Sequence, residues 1–431
     1  MENRQTRERV DGQFDLIHDR DILTPRALCG MNHHRQWKPD NNTSMMGHFF
    51  SGAELDGTSM NKKNYFSIVI MCGLLSLSPI SQAITYSLTD LGTLGGTQFN
   101  GYSYGRGINS SGQVTGESYP NINTGSHAFL YDNDTMVDLL TLGGSASIGH
   151  DINDSGQATG YSSLINDNGS HAFITIGGAM ADLGTLGGRY SYGMSINNSG
   201  QVVGFSTLKG ENATHAFITN GGIMTDLGTL GGNESEAYGI NESGQVTGYA
   251  YPVGNLGIHA FITINGVMID LGTLGGTWSQ GYGINNSGQV TGASSIVGSP
   301  DGATYHAFLT VGGIMTDLGS LGTESVGFGI NATGQVVGTS FLAGNGNSHA
   351  FVTIGGVITD LNSLIDPSAG WTLDNATAIN DSGQITGLGH DPLQRAHAFL
   401  LTPNSDIPEP ATLSLIMLGI AIMSVTKCLH S

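Results

Sequence analysis

Two residue sets have side chains that could do chemistry. A histidine opens a His-Ala-Phe triplet at His127, His171, His215, His259, His306, His349 and His397, and an aspartate precedes leucine at Asp90, Asp138, Asp182, Asp226, Asp270, Asp317 and Asp360. Imidazole and carboxylate could bind a metal or move protons, but either task needs several groups converging on one point. A residue that returns once per repeat stands far from its copies. The histidines are therefore read as strand-start residues bonding a neighbouring loop, and the aspartates as strand-end acceptors of backbone N–H groups. A third set is Asn-x-Ser/Thr-Gly, at Asn109, Asn153, Asn197, Asn241, Asn285, Asn331 and Asn380. Asn153-Asp154-Ser155-Gly156 resembles a calcium loop, yet other copies carry Ser110, Asn198 or Ala332 in the Asp154 slot, and no glutamate closes a cage. Asparagine bonding its own backbone, with glycine in the left-handed position, explains the motif as a turn. No Ser-His-Asp set, phosphate-binding loop or non-repeated carboxylate pair is present, so the expectation is no catalytic residue, no metal and no cofactor.

Function is therefore sought where copies differ. One such place is the loop of variable length before each His-Ala-Phe. Another follows each Leu-Gly-Gly or its equivalent and carries Phe99, Tyr102, Tyr104, Tyr190, Tyr192, Tyr238, Trp278, Tyr282, Phe328 and Trp371. Aromatic faces beside amide and acidic side chains suit sugar stacking; the same rings could instead pack between repeats. Trp278, Trp371, Tyr190 and Tyr282 are the candidate ligand-binding residues.

These positions must be set by a repeat with a period of about 44 residues, a length that decides architecture before any local motif does. Residues 182–231 show one copy. A first strand runs through Tyr192 to Asn197, a second through Gln201 to Ser206, a third through His215 to Thr219 and a fourth through Ile223 to Leu227. The turn between third and fourth strands is Gly177-Gly178, Gly221-Gly222, Asn265-Gly266, Gly312-Gly313 or Gly355-Gly356, pairs that supply the positive φ of a tight hairpin. Seven such four-stranded units indicate an all-β, seven-bladed β-propeller over 84–403. A lone strand at 84–91 precedes the first copy, and the last copy ends at Pro403 with three strands. The first strand is expected to complete the last blade and so remove an exposed edge. The rival architecture is an open β-solenoid.

The chain has a formal charge of −20 and 67 glycines. Within 84–403 the only basic residues are Arg106, Arg189, Lys209 and Arg395, too few and too scattered to bind nucleic acid. Cys29, Cys72 and Cys428 all lie outside the repeats, which excludes a disulfide framework there.

The ends read differently. Residues 1–59 have no sustained period and are read as a disordered extension. From Met60, Lys62 and Lys63 precede an apolar run from Phe66 to Leu77 and a small-residue cleavage site ending at Ala83, the layout of a signal peptide over 60–83. Translation is therefore expected to begin at Met60. In the tail, 404–431, Pro408-Glu409-Pro410 precedes an apolar stretch at 411–426, slightly shorter than a comfortable membrane span, and then Lys427.

That tail resembles the PEP-CTERM sorting signal of Gram-negative bacteria, although Lys427 stands alone before Cys428-Leu429-His430-Ser431 where members of the family show several arginines. The resemblance implies processing by a membrane exosortase in a host that makes exopolysaccharide. The repeats resemble the HAF family of probable extracellular repeats, through His-Ala-Phe, Asp-Leu-Gly-Thr-Leu-Gly-Gly and Gly-Gln-Val recurring in order. That family implies export and surface residence and no established activity. The expectation is an exported, non-enzymatic surface or matrix protein that binds glycans, such as exopolysaccharide, or surface proteins, with its tail in the inner membrane before processing. The alternatives are a polysaccharide-modifying enzyme on the same scaffold and a purely structural surface protein.

Overall fold

The computed structural model describes residues 84–95, 101–120, 125–210, 213–254, 256–299, 302–344 and 346–404. The extension, the signal peptide with Ala83, Phe99, and the tail with Pro408, Glu409 and Pro410 lie outside the described residues. Described strands form four-stranded antiparallel sheets in chain order. Two of these, 143–182 and 187–226, are joined into one sheet of eight by a single parallel bridge between Tyr190 and Ser170. No sheet closes on itself.

In the copy at 187–226 the strands are Gly187–Ile196, Val202–Leu208, Thr214–Asn220 and Ile223–Asp226. The first begins earlier than its sequence indicates. Gly187 pairs with Leu208 before the register shifts towards Ser191. Thr207 sustains this bulge, because its hydroxyl accepts the N–H groups of both Arg189 (2.9 Å) and Tyr190 (3.0 Å). A side-chain oxygen thus stands in for a missing ladder partner. The hairpin glycines Gly221 and Gly222 take φ of 58° and 82°, as the turn requires.

The strand Tyr86–Asp90 pairs antiparallel with the last strand, Ala396–Pro403, with Tyr86 opposite Pro403 and Asp90 opposite Phe399. It takes the place that a fourth strand holds in the other sheets. Both chain ends of the repeat region thus leave from the end of the sheet where other copies have a glycine hairpin. The variable loops lie at the opposite end.

Open sheets need side chains to join them, and each repeat brings the same set. The seven triplet phenylalanines, Phe129 to Phe399, are fully buried. Phe217 packs on Ala172 and Ile174 of the preceding copy, Phe261 on Ala216, and Phe308 on Ala260. Phe129 of the first copy packs on Ala398 of the last. Full burial of such a ring contributes roughly 1.5–3 kcal/mol relative to exposure.

A serine on every first strand but the last adds a polar clamp. Ser191 accepts the N–H of Ala172 (2.9 Å) and donates to the carbonyl of Gly184 (2.5 Å). Ser103 does the same towards Ala398 (2.9 Å) and Gly92 (2.5 Å). In the last copy Leu373 replaces the serine, and the Asn362 amide bonds the Leu373 N–H and C=O instead. The turn asparagines form a third set of links. Asn197 accepts the Gln201 N–H (3.0 Å) within its own turn and donates to the Asn241 carbonyl (3.2 Å) of the next copy. Asn380 of the last copy donates to Asn109 O of the first (2.9 Å).

The tightest link is selective about residue type. Second-strand threonines Thr115, Thr159, Thr247, Thr291 and Thr386 each donate to the carbonyl of their own triplet phenylalanine. That bond fixes the rotamer, and the oxygen then lies where a Cβ would stand on the adjacent first strand, at Gly149, Gly193, Gly281, Gly327 and Gly105 respectively. Valine fills the threonine slot at Val203 and Val337, and there the neighbours are Ala237 and Ala376. Valine makes no such bond, so no bond holds a polar atom against the neighbour. Gly105→Ala should therefore destabilise the protein by about 1–3 kcal/mol, and adding Thr386→Val should restore most of the loss. Urea denaturation of the two variants checks this; equal stability of Gly105→Ala and the parent would contradict it.

Candidate binding face

Along each first strand, residues alternate between fixed and variable types. Ser103, Gly105 and Ile108 belong to the set kept in all or most copies, and Tyr104 and Arg106 do not. The variable positions are Tyr104 and Arg106, Ile148 and His150, Tyr192 and Met194, Glu236 and Tyr238, Gln280 and Tyr282, Val326 and Phe328, and Asn375 and Thr377. Opposite the first member of each pair, on the second strand, stand Glu117, Tyr161, Phe205, Tyr249, Ala293, Thr339 and Leu388. First strands of successive copies lie side by side, and that of the last copy lies beside that of the first. Their variable residues therefore face one another, which the sequence reading missed. The signal is alternation within a strand, masked in the sequence because these residues flank small residues, most often glycine.

The face has two unlike halves. Around the first and last copies it is charged. Arg106 pairs with Glu117 (2.5 Å), and its guanidinium lies 4.5 Å from the centre of the Tyr104 ring. Burial disfavours the Arg106 charge, but Glu117 together with Tyr104 and Tyr102 outweighs this, and the Arg106 pKa is raised. Asn375 donates to the Tyr104 hydroxyl (2.7 Å), and Asp374 pairs with His390 (2.6 Å). Burial, followed by repulsion from Arg106, holds His150 down at about 3, so its imidazole is neutral. Its Nδ1 lies 2.9 Å from Met194 Sδ.

The other half is aromatic. Tyr161 and Tyr192 have ring centres 4.7 Å apart, Tyr192 and Phe205 4.8 Å, Tyr238 and Tyr282 5.2 Å, and Tyr282 and Phe328 5.4 Å. Within this arc lies one carboxylate, Glu236, which is 7% exposed. The Tyr238 hydroxyl donates to it (2.6 Å), Tyr249 bonds it from the second strand, and no cation pairs with it among the described residues. Burial pushes its pKa up to about 6 despite the two phenols.

Of the four sequence candidates, Tyr282 belongs to this face, where its hydroxyl bonds Gln280. Trp278 is half-buried beside a loop, with its indole N–H donating to Gly302 O (3.1 Å) and its ring 5.4 Å from Tyr305. Trp371 packs on the core of the last copy, and Tyr190 lies under the Arg189 guanidinium at 5.5 Å. The structure does not gather the four at one place.

The repeated polar groups are occupied within the scaffold. Each triplet histidine bonds the aspartate of its own hairpin through Nδ1, as His215 does with Asp226 (2.8 Å), and His397 bonds Asp90 (3.0 Å). This corrects the expected loop partner: antiparallel pairing sets the two residues at one end of the hairpin. The aspartates also accept backbone N–H groups, as Asp226 does from Gly228 (2.7 Å). Asp154 accepts the Ser110 N–H (2.9 Å) and the Asn198 amide (2.8 Å), and so links neighbouring turns. Asp90, Asp391 and His397 present ligand atoms within 4.8 Å of one another. Asp391, however, accepts from the N–H groups of Leu393 (2.9 Å) and Arg395 (2.8 Å) and from Arg395 Nε (2.7 Å), so the guanidinium already supplies the positive charge there.

No family model and no curated protein matches the chain. Among solved structures it is similar to one described as a candidate TolB from Agrobacterium tumefaciens, with 11% identity and a TM-score of 0.36, over 54% of this chain and 86% of that one.

A buried acid with a raised pKa costs stability once ionised. The unfolded chain releases this proton near 4.5 and the folded protein near 6, so stability should fall as pH rises through that interval. Glu236→Gln should raise stability at pH 7 by about 2 kcal/mol and flatten the profile between those values. Melting curves at pH 4.5 and pH 7 test both statements.

Proposed function

We propose that the protein is a seven-bladed β-propeller, closed by its N-terminal strand, that works as an exported, non-enzymatic binding module of the bacterial surface or extracellular matrix. Closure is supported by the bonds that join the last copy to the first: Asn380 to Asn109, Ala398 to Ser103 (2.9 Å), and Thr377 Oγ1 to the Gly105 carbonyl (2.7 Å). Export rests on the signal-peptide layout of 60–83, and sorting by an exosortase-like enzyme rests on the resemblance of 404–431. The ends of the repeat region leave on the side opposite the variable loops, so a tail held in the inner membrane before processing leaves those loops free.

One observation carries the binding reading. Identity varies from copy to copy where the first strands face one another, and there an aromatic arc meets a set of charged and amide groups. Stacked rings hold the apolar face of a sugar, and nearby hydrogen-bonding groups fix its hydroxyls. The full-length protein should be retained on the host's exopolysaccharide or on members of a defined glycan panel without releasing reducing ends. Tyr238→Ala and Tyr282→Ala should each weaken retention at least tenfold. Trp278→Ala and Trp371→Ala should lower the melting temperature while leaving affinity unchanged. Glycan retention lost only with the two tryptophans would move the site to the loops. No retention on any glycan would turn the reading to protein partners or a structural role.

A second reading, a polysaccharide-modifying enzyme, is favoured by Glu236, since a carboxylic acid that stays protonated near pH 6 has the property of a general acid. New reducing ends that disappear with Glu236→Gln would establish it in place of the binding module.

A further inference from the structure

Among the described residues of this face, Glu236 is a buried carboxylate that no scaffold cation answers. Arg106 answers Glu117, His390 answers Asp374, and Arg395 answers Asp391. Glu236 is as buried as Glu117, yet its hydrogen-bond partners are phenols and the nearest charge acting on it is another carboxylate, Glu234, with no cation beside it among the described residues. A carboxylate offers about four acceptor positions, and two phenol hydroxyls leave about half of them unused. A buried charge without a partner is expensive, and a ligand that brings the opposite charge would offset that cost. The surroundings suit a cation further. The π faces of Tyr238, Tyr249 and Tyr282 attract positive charge, and the acidic chain concentrates cations around itself.

We infer that Glu236 is the anchor for a protonated amino group on the bound glycan, and that the ligand class is a saccharide with free amino groups. This deepens the binding reading above and rests on it. A saccharide fits better than a lone basic side chain because of extent. The rings run from Tyr192 and Phe205 through Tyr238 and Tyr282 to Phe328, across four neighbouring copies. An ammonium group with one short stem would use Glu236 and one or two rings. Linked pyranose rings would use the arc, with the N–H groups of the Gln280 amide and the oxygen of the Tyr282 hydroxyl, whose proton goes to Gln280 Oε1, left to their hydroxyls. N-acetylation removes the charge and the donors that Glu236 needs, so the acetylated form of the same saccharide is the discriminating competitor.

The test is calorimetric titration of the full chain at pH 7 with a glucosamine hexamer and with its fully N-acetylated counterpart. The expected result is at least tenfold tighter binding of the amino form. Glu236→Gln should abolish that preference while the protein stays folded by its melting curve. Asp134→Asn, which removes an exposed charge far from the face, should keep it, so general attraction of a polycation to an acidic protein is separated from the site. Equal affinity for the two hexamers, or a preference that survives Glu236→Gln, overturns the inference. Binding of other glycans but neither hexamer overturns it while leaving the binding reading in place. Failure to bind any glycan overturns both. A lysine-rich peptide that binds through Glu236 when the hexamers do not would replace the saccharide with a protein partner.

Discussion

The structure depends on joining open sheets face to face, with almost no backbone ladder between them. A sheet of four short strands cannot bury enough apolar surface alone, and most neighbouring copies here share no strand pairing. The serine on the first strands of all copies but the last answers this constraint. Its hydroxyl accepts the alanine N–H of the preceding His-Ala-Phe and donates to a carbonyl at the end of the preceding fourth strand. One small side chain thus satisfies two buried backbone groups of another sheet. The phenylalanine two residues beyond each triplet histidine fills the space between the sheets. Because the clamp acts between consecutive copies, geometry is passed along the chain, and the set repeats where Ala398 meets Ser103.

This arrangement explains why function can vary while the scaffold stays constant. Fixed serine, glycine and isoleucine point into the joints, and the residues between them point away. Substitution at the latter costs little packing, so the copies diverge into charged and aromatic halves. Glu236 shows the limit of that freedom. Its burial raises its pKa to about 6, a penalty that two phenols relieve only in part. Tyr104, pushed up to about 12 mainly by burial, remains a neutral hydrogen-bonding group beside Arg106.

Much of the fold was legible in the sequence because its cues are local. Gly221-Gly222 announces a hairpin by itself, the period follows from the triplets, and the lone strand before the first copy was visible as a surplus at one end and a deficit at the other. What escaped depends on relations between copies. The partner of His215 is Asp226, eleven residues on, and only the strand register reveals it. Tyr104 and Arg106 are set apart by Gly105 and Gly107, and the glycines mask the alternation of a strand. Those glycines are present for steric reasons, since a Cβ at Gly107 would meet the backbone of Asp151 in the next copy. The co-variation of glycine with threonine and alanine with valine was present in the sequence. It links Gly105 to Thr386 across nearly the whole repeat region, but it becomes readable only once the adjacent strands are known. Trp278 and Trp371 drew attention by size, and the structure places both in packing roles near loops.

The central claim is that the last copy stands beside the first in solution. Spin labels on cysteines at Ser110 and Asp381, with the native cysteines replaced, measure it directly by dipolar spectroscopy. Both sites are exposed and lie in the turns of the first and last copies. A closed propeller places the two labels in adjacent blades, giving a narrow distribution centred at roughly 10–25 Å, given face-to-face sheet spacings near 10 Å. An open array of seven sheets at that spacing would hold them about 60 Å apart, and a distribution centred there would contradict the account.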